Sequence, residues 1–203
     1  MALCGRPATR WGGILVALAF GVAACSATPT ASPSPAPSPA PTGTSSATAT
    51  GSPGPISSLP AGCDTDAHGS ATAPRVSIAD LAAQGYADYD VLIFDFDRGL
   101  PEYTISHVEP PFTSDPSGKP LTVAGASFFS IVFHGASIVD EEFQPVYEGP
   151  TDFQPSLQRI QQVVLSGDFE AVSSWIVGLH GPACLAAQTF SGKRLVVAFL
   201  DAP

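Results

Sequence analysis

From about Ala73 to the C-terminus, the chain alternates short apolar runs with clusters of Gly, Pro and Asp. The runs are rich in Val, Ile, Phe and Thr, which favour β-strands, and breaks such as DPSGKP, EGPTDFQP and FSGK favour turns. Residues 73–203 number roughly 130, the length of one domain with a single hydrophobic core. Regularly spaced short strands of this kind predict an all-β fold, either a sandwich or a barrel.

The predicted strands are RVSIADL, YDVLIFDF, YTISHVE, PLTV, ASFFSIVFHG, RIQQVVLSG, AVSSWIVGLHG, CLAAQTF and RLVVAFL. TFSGKRL predicts a closing hairpin around Ser191-Gly192, because these residue types favour tight turns. Two segments leave a short helix open as the alternative, since their apolar side chains recur at helical spacing. Those side chains are Leu157, Ile160 and Val164 in one segment, and Ile78, Leu81 and Ala82 in the other.

The N-terminus predicts export and a lipid anchor. Arg6 and Arg10 precede an apolar, uncharged run over residues 11–24, which is shorter than the roughly 20 residues that a membrane-spanning helix needs. The run ends in VAAC, which resembles the bacterial lipobox, where cleavage before the Cys leaves a lipidated thiol. Residues 1–24 are therefore predicted to be a signal peptide, and Cys25 to carry diacylglycerol and acyl chains such as palmitate. An ordinary secretory signal or a retained anchor is the alternative.

The segment after Cys25 is predicted to be a disordered linker that extends to residue 72. Residues 26–62 contain no Asp, Glu, Lys or Arg and consist largely of Pro, Ser, Thr, Ala and Gly. Such a composition offers too little apolar surface to offset the entropy cost of ordering the chain. At about 3.1 Å per residue in a polyproline II conformation, the linker would hold a domain up to roughly 100 Å from the membrane.

Charge and cysteine content fit an extracytoplasmic location. The chain has 18 acidic and eight basic residues, and loss of the signal peptide removes two of the basic ones, which leaves a net charge of −12. A domain this acidic repels phosphate backbones, so nucleic acid is excluded as a partner. Apart from Cys4 in the signal peptide and Cys25, two cysteines remain. Cys63 and Cys184 are predicted to form one disulfide in an oxidising compartment, with two unpaired thiols as the alternative.

One motif suggests an enzyme. VLIFDFDRGL resembles the first motif of the haloacid dehalogenase phosphatases, an apolar strand followed by Asp-x-Asp-Gly-Thr, in which the first Asp attacks phosphorus. Asp95 and Asp97 would take the two carboxylate roles, but Arg98 and Gly99 stand where that family has Gly and Thr. The family fold also needs helices that cross between parallel strands, and this chain offers almost none.

The favoured interpretation of the same motif is a strand with two unlike faces. In a strand, successive side chains point to opposite sides, so Leu92, Phe94 and Phe96 would face a core while Asp95 and Asp97 face water. On this interpretation the carboxylates have no catalytic role. The phosphatase therefore remains the alternative function.

The histidines, one acidic run and several aromatic residues are the remaining candidates for metal or ligand binding. The four His are scattered without zinc-ligand spacing, and the acidic run at residues 140–142 lacks the alternating spacing of a calcium loop. Trp175 shares a strand face with Val177 and Leu179, which predicts a core residue, with a stacking platform for sugar as the alternative. No metal, cofactor or catalytic residue is therefore predicted. Three tyrosines flank predicted turns, where their amphipathic rings would be exposed for glycan contact. These predicted binding residues are Tyr86, Tyr89 and Tyr103.

The order of segments resembles the AMIN-like domain of actinobacterial and related lipoproteins. GDFEAVSSWIVGL, with Trp175 and Gly178, carries most of the resemblance, which extends over about residues 73–201. It implies a single β-sandwich over residues 73–203, related to non-catalytic modules that place cell-wall amidases and secretins in the envelope. The segment HGPACLAA departs from that pattern. The expected function is a lipid-anchored module on the outer face of the cell membrane that binds peptidoglycan or another envelope protein.

Overall fold

The computed structural model describes residues 64–203. The predicted signal peptide, Cys25, Cys63 and residues 26–62 of the predicted linker lie outside the described residues. Within the described range every regular element is a β-strand, which confirms the all-β prediction. No helix in that part of the chain is long and apolar enough to cross a membrane.

The described chain forms thirteen strands, and most of them coincide with the runs predicted from the sequence. In chain order they are β1 Asp66–Gly69, β2 Val76–Gly85, β3 Tyr89–Phe96, β4 Glu102–Val108, β5 Phe112–Ser114, β6 Lys119–Leu121, β7 Ser127–His134, β8 Ala136–Ser137, β9 Asp152–Phe153, β10 Ile160–Phe169, β11 Val172–Leu179, β12 Ala183–Phe190 and β13 Arg194–Asp201.

The strands form two main sheets with the hydrophobic core between them, as in a β-sandwich. One sheet has the order β1-β4-β7-β11-β10-β9, and the other has the order β12-β13-β3-β2-β8. All paired strands are antiparallel except β2 and β8, which pair in parallel. The small hairpin β5–β6 stands apart as a third sheet. Its Phe112 packs on Phe128 of the first sheet, with ring centroids 5.1 Å apart, so it covers part of that sheet's outer face.

The core between the sheets is built from large aromatic side chains. Phe94 and Phe96 of β3 both meet Phe133 of β7 edge-on, with ring centroids 4.9 and 5.3 Å apart. Trp175 is fully buried beside Phe94, and its indole N–H donates to the Ser173 hydroxyl at 3.1 Å. The prediction that Trp175 is a core residue is therefore confirmed, and Phe94 and Phe96 face the core as predicted. The opposite face of β3 is less open to water than expected, because Val91 and Ile93 are buried there in a second apolar cluster.

Both segments with helical spacing lead into or form strands in the structure, and each of these strands contains a β-bulge. In β2, the pairing with β3 shifts by one residue between Ile78 and Asp80, so Ala79 is extra. A bulge reverses the alternation of faces, and Ile78 and Leu81, three residues apart, therefore both reach the core. In β10, a similar shift after Ile160 places both Ile160 and Val163 in the core. Val164 instead lies on the outer face of the sheet, and Leu157 packs against the core from the segment before the strand.

The folded domain begins earlier than the predicted boundary at residue 73. Strand β1 pairs along β4, and the backbone carbonyl of Asp64 accepts a hydrogen bond from the Leu185 N–H at 2.9 Å. These pairings extend the sandwich back to Asp64, because backbone hydrogen bonds to the sheet outweigh the polar composition of the segment. At the other end of the chain the predicted hairpin is confirmed: Ser191 and Gly192 both have positive φ, as in a tight hairpin turn.

Candidate functional site

The tight turn between β2 and β3 brings two tyrosines together. Tyr86 donates its backbone N–H to the Tyr89 carbonyl at 2.8 Å, which closes a two-residue loop over Ala87 and Asp88. The three-residue separation across this turn lets the rings stack, with centroids 4.7 Å apart and planes inclined by 25°. Burial raises the pKa of Tyr86, and the neighbouring Tyr89 raises it further.

Directly after this turn lies a fully buried carboxylate, Asp90. Its Oδ2 accepts hydrogen bonds from the backbone N–H groups of Arg159 and Ile160, at 2.5 and 2.9 Å, and so holds the start of β10 against β3. Its other oxygen, Oδ1, is buried and has no hydrogen-bond partner. A buried polar atom without a partner is uncommon in folded proteins, so this oxygen marks the position for closer attention.

A cleft of about 370 Å³ opens at this position. Tyr86, Asp90, Ser156 and Leu157 line it together with neighbouring residues of the two loops. Gly85 also lines the cleft, and it pairs with Asp90 on the neighbouring strand. A Cβ at Gly85 would lie 3.0 Å from Leu157 Cδ2 and 3.3 Å from Asp90 Oδ1, so the glycine keeps the space beside that oxygen open. A cleft of this size fits a small ligand or one unit of a polymer.

The three predicted binding tyrosines do not form one surface. Tyr86 is partly exposed and lines the cleft, whereas Tyr89 and Tyr103 are only 9% and 7% exposed. The expectation that all three are exposed is wrong for these two, because both rings are covered by packing. Tyr103 lies on β4 of the other sheet and packs against Gly69, where a Cβ would overlap its ring, and burial raises its pKa. Tyr86 alone of the three offers a ring to the cleft.

The two carboxylates of the suspected phosphatase motif are occupied by neighbouring groups. Asp95 forms a bidentate ion pair with Arg194 of the adjacent strand β13, at 2.6 and 2.7 Å. Asp97 accepts the Ser77 backbone N–H at 2.8 Å and pairs with Arg98 at 2.8 Å. Partial burial alone would raise the pKa of Asp97, but these two donors outweigh it and lower the pKa. The strand is also antiparallel to both of its neighbours, unlike the strand that carries the phosphatase motif.

The acidic run at residues 140–142 and the histidine His107 make contacts within the fold. Asp140 accepts the backbone N–H groups of Glu142 and Gln144, at 3.0 and 2.7 Å, and so folds the acidic run into a turn. His107 packs edge-on against Phe129. Among residues 64–203, no group of three or more His, Cys, Asp and Glu side chains is arranged to hold a metal ion.

The match with known families spans most of this sandwich. Residues 77–201 match the AMIN-like domain, which is more than half of the chain and runs from β2 to β13. The chain belongs to the AMIN-like domain family. No curated protein and no solved structure showed significant similarity to it. The two residues that carried the resemblance both have a structural role in this AMIN-like domain. Trp175 lies in the core, and Gly178 lies where the segment with Ala124 passes close to β11.

Sequence reasoning missed the residue at the centre of the cleft. Asp90 stands within the predicted run YDVLIFDF, but its local pattern does not distinguish it from an exposed aspartate. The available signal was its position between Tyr89 and the four apolar residues 91–94. The cleft of the AMIN-like domain is formed in part by the loop that precedes β10, and the local sequence around Asp90 does not predict that this loop packs there.

Proposed function

We propose that this AMIN-like domain is a non-catalytic binding module of the bacterial cell envelope, held at the outer face of the cell membrane by a lipid on Cys25. Its ligand is peptidoglycan or another envelope component. The family match over residues 77–201 carries the proposal, because it extends over nearly the whole sandwich and the resemblance implies binding rather than catalysis. The cleft at Tyr86 and Asp90 supports it, since it is a concave site with an aromatic ring and a charged group.

The lipid anchor is supported by the lipobox-like VAAC and by the long uncharged segment that follows it. That segment would allow a tethered domain to reach the cell wall while its anchor stays in the membrane. Replacement of Cys25 by Ser should release the protein to the medium or leave the signal peptide uncut. A Cys25→Ser protein that remains membrane-bound with the mass of the wild-type protein would contradict the anchor.

The disulfide between Cys63 and Cys184 is also part of the proposal. Asp64 and Leu185, the residues that follow Cys63 and Cys184 in the chain, pair with each other, and this pairing supports the bridge. Cys184 is 3% exposed, so its side chain is buried in the domain. A bridge at this position would fasten the N-terminal end of the folded domain, where a pull on the linker would act first.

The alternative function, a phosphatase that uses Asp95 and Asp97, has less support. A nucleophilic carboxylate needs free access to phosphorus, and both carboxylates are instead held by Arg194, Arg98 and a backbone N–H. A panel of phosphatase substrates with magnesium tests it directly. Turnover that is lost in Asp95→Asn would establish the phosphatase and overturn the non-catalytic proposal.

The binding function is tested by sedimentation of the purified full-length protein, in mild detergent, with purified peptidoglycan sacculi. The protein should appear in the pellet with the sacculi and stay in the supernatant without them. Tyr86→Ser should reduce the pelleted fraction. Phe143→Ser is the matched control, because Phe143 is 79% exposed in the loop after β8, at the opposite end of β2 from the cleft. If sacculi fail to pellet the wild-type protein, the ligand is not peptidoglycan and an envelope protein takes its place in the proposal.

A further inference from the structure

The cleft holds a negative charge that the protein itself leaves partly uncompensated. Asp90 is 0% exposed, and it receives two backbone N–H donors, both on Oδ2. Oδ1 has no partner. The Arg159 side chain directs its Nη2 to Asp201 at 2.8 Å and does not line the cleft, and its buried Nε and Nη1 make no hydrogen bond to Asp90 or to any other group of the described residues. A buried carboxylate is costly unless it is paired, so the site has a vacancy for a positively charged donor.

We propose that the cleft binds a primary ammonium group, with Asp90 Oδ1 as its acceptor and the Tyr86 ring as its aromatic contact. This inference rests on the proposed binding function and names the ligand chemistry for it. An ammonium carries three N–H donors and a full positive charge on a narrow stem, so it can enter a cleft beside a glycine. In peptidoglycan, such a group would be a free amino group of a peptide or of a deacetylated sugar.

Tyr86 supplies the second element of recognition. Aromatic rings attract cations over their faces, and tyrosines are used in this way for ammonium ligands. Tyr86 lines the same cleft as Asp90, and its stacking on Tyr89 fixes the ring in place. None of the residues that line the cleft is basic, so nothing there repels a cation.

Other occupants fit the site less well. A calcium or magnesium ion needs six or more oxygen ligands, and one free carboxylate oxygen cannot supply them. A neutral hydroxyl would satisfy the hydrogen bond of Oδ1 but would leave its charge uncompensated. A water molecule bound to Asp90 Oδ1 is the remaining alternative, and the experiment below distinguishes it from an ammonium.

The direct test is calorimetric titration of the full-length protein with Nα-acetyl-lysine amide, whose one charge is the side-chain ammonium. The matched probe is the same compound with the ammonium acetylated, which is neutral and of similar shape. We expect binding of the charged probe alone, weaker at high salt, and a loss of roughly tenfold or more in affinity in Asp90→Asn. Asp88→Asn removes the same charge from an exposed position two residues away and should leave the affinity unchanged.

A second variant tests the site without changing its charge. Gly85→Ala would place a methyl group 3.3 Å from Oδ1 and should reduce ammonium binding by blocking access, while the flexible Leu157 side chain absorbs the contact. Gly181→Ala is its control, since a Cβ there meets nothing within 4 Å. Because Asp90→Asn also changes the contact with β10, Gly85→Ala keeps the test decisive if that variant fails to fold. Equal affinity for both probes, no binding of either, or no effect of Gly85→Ala would overturn the proposal and leave water on Oδ1.

Sacculi treated with acetic anhydride separate this inference from the proposed function. Acetylation converts free amino groups to neutral amides, so the treated sacculi should pellet less of the wild-type protein than untreated ones. If both kinds of sacculi pellet the protein equally, the ammonium site is wrong and the binding function stands. If neither pellets it while the charged probe binds through Asp90, the ammonium site stands and peptidoglycan is not the ligand.

Discussion

At the residue scale, strand β3 packs large side chains into the core on one face and carries an ion pair at the end of the other face, beyond the buried Val91 and Ile93. Phe94 is fully buried between Phe133 and Trp175, whereas Asp95 pairs with Arg194 on the partly exposed side. Phe94→Ala should lower the free energy of unfolding by about 3 to 5 kcal/mol, because it leaves a cavity in the core. Asp95→Asn removes a partly screened ion pair and should cost only about 1 kcal/mol.

Urea unfolding of the two variants at neutral pH, followed by circular dichroism, measures this difference. The order of the two effects is the decisive result. If Asp95→Asn proved the more damaging change, the ion pair with Arg194 would be a central support of the sheet, and our description of β3 would be wrong.

Tyr147 gives the fold a predictable sensitivity to alkaline pH. Its hydroxyl donates to the Pro150 carbonyl at 2.9 Å, and its ring packs edge-on against Trp175. Burial, with a further contribution from the charge of Asp80, raises the pKa of Tyr147 to about 12 from the ordinary value of 10.0. Above pH 10 the unfolded chain loses this proton while the folded chain keeps it, so stability should fall as the pH rises from about 10 to 12.

Tyr147→Phe tests the assignment, because phenylalanine has no proton to lose. The variant should lose about 1 kcal/mol at pH 8 with the missing hydrogen bond, yet show a shallower decline in stability from about pH 10 to 12. Unfolding free energies from urea titrations at several pH values give both quantities. An unchanged decline in the variant would assign the alkaline sensitivity to other groups.

At the scale of elements, the segment between β6 and β7 crosses the first sheet so closely that it requires a glycine. A Cβ at Gly178 of β11 would overlap the Ala124 carbonyl oxygen, and one at Gly125 would lie 2.9 Å from the Gly178 Cα. Ala124 is held there because its N–H donates to Gln162 Oε1 at 2.6 Å. The crossing segment therefore has little freedom to move away from β11.

Gly178→Ala should destabilise the domain by about 2 to 3 kcal/mol, since the backbone must shift to admit one methyl group. Gly181→Ala, two residues beyond the end of β11 and in open space, makes the same chemical change without a clash. Thermal melting of the two variants compares them directly. A Gly178→Ala melting temperature equal to that of Gly181→Ala would mean that the crossing segment is loosely held.

At the scale of the whole molecule, the proposed Cys63–Cys184 disulfide would join the N-terminal end of the domain to β12. A bridge that closes a loop of more than a hundred residues stabilises by roughly 4 to 5 kcal/mol in the chain-entropy model. Non-reducing mass spectrometry of secreted protein should identify the linked peptides, and reduction should lower the melting temperature. Two free thiols in secreted material would contradict the bridge.

The sequence by itself determined the all-β class, most strand positions, the closing hairpin, the two faces of β3 and the family. These features depend on local alternation and turn residues, which are legible over a few positions. The sequence left a helix open as the alternative in two segments. In the segment with Ile78 and Leu81, the helical spacing comes from a bulge, which is created by pairing with a neighbouring strand.

Only the tertiary structure decided which side chains are buried and which of them line the cleft. Asp90 is buried by backbone N–H groups 69 and 70 residues further along the chain, and Tyr103 is covered by β1, which the sequence had assigned to the linker. Whether a polar side chain is exposed depends on which distant segment packs over it. No local pattern carries that information, so the one carboxylate oxygen left without a partner could be found only after the chain had folded around it.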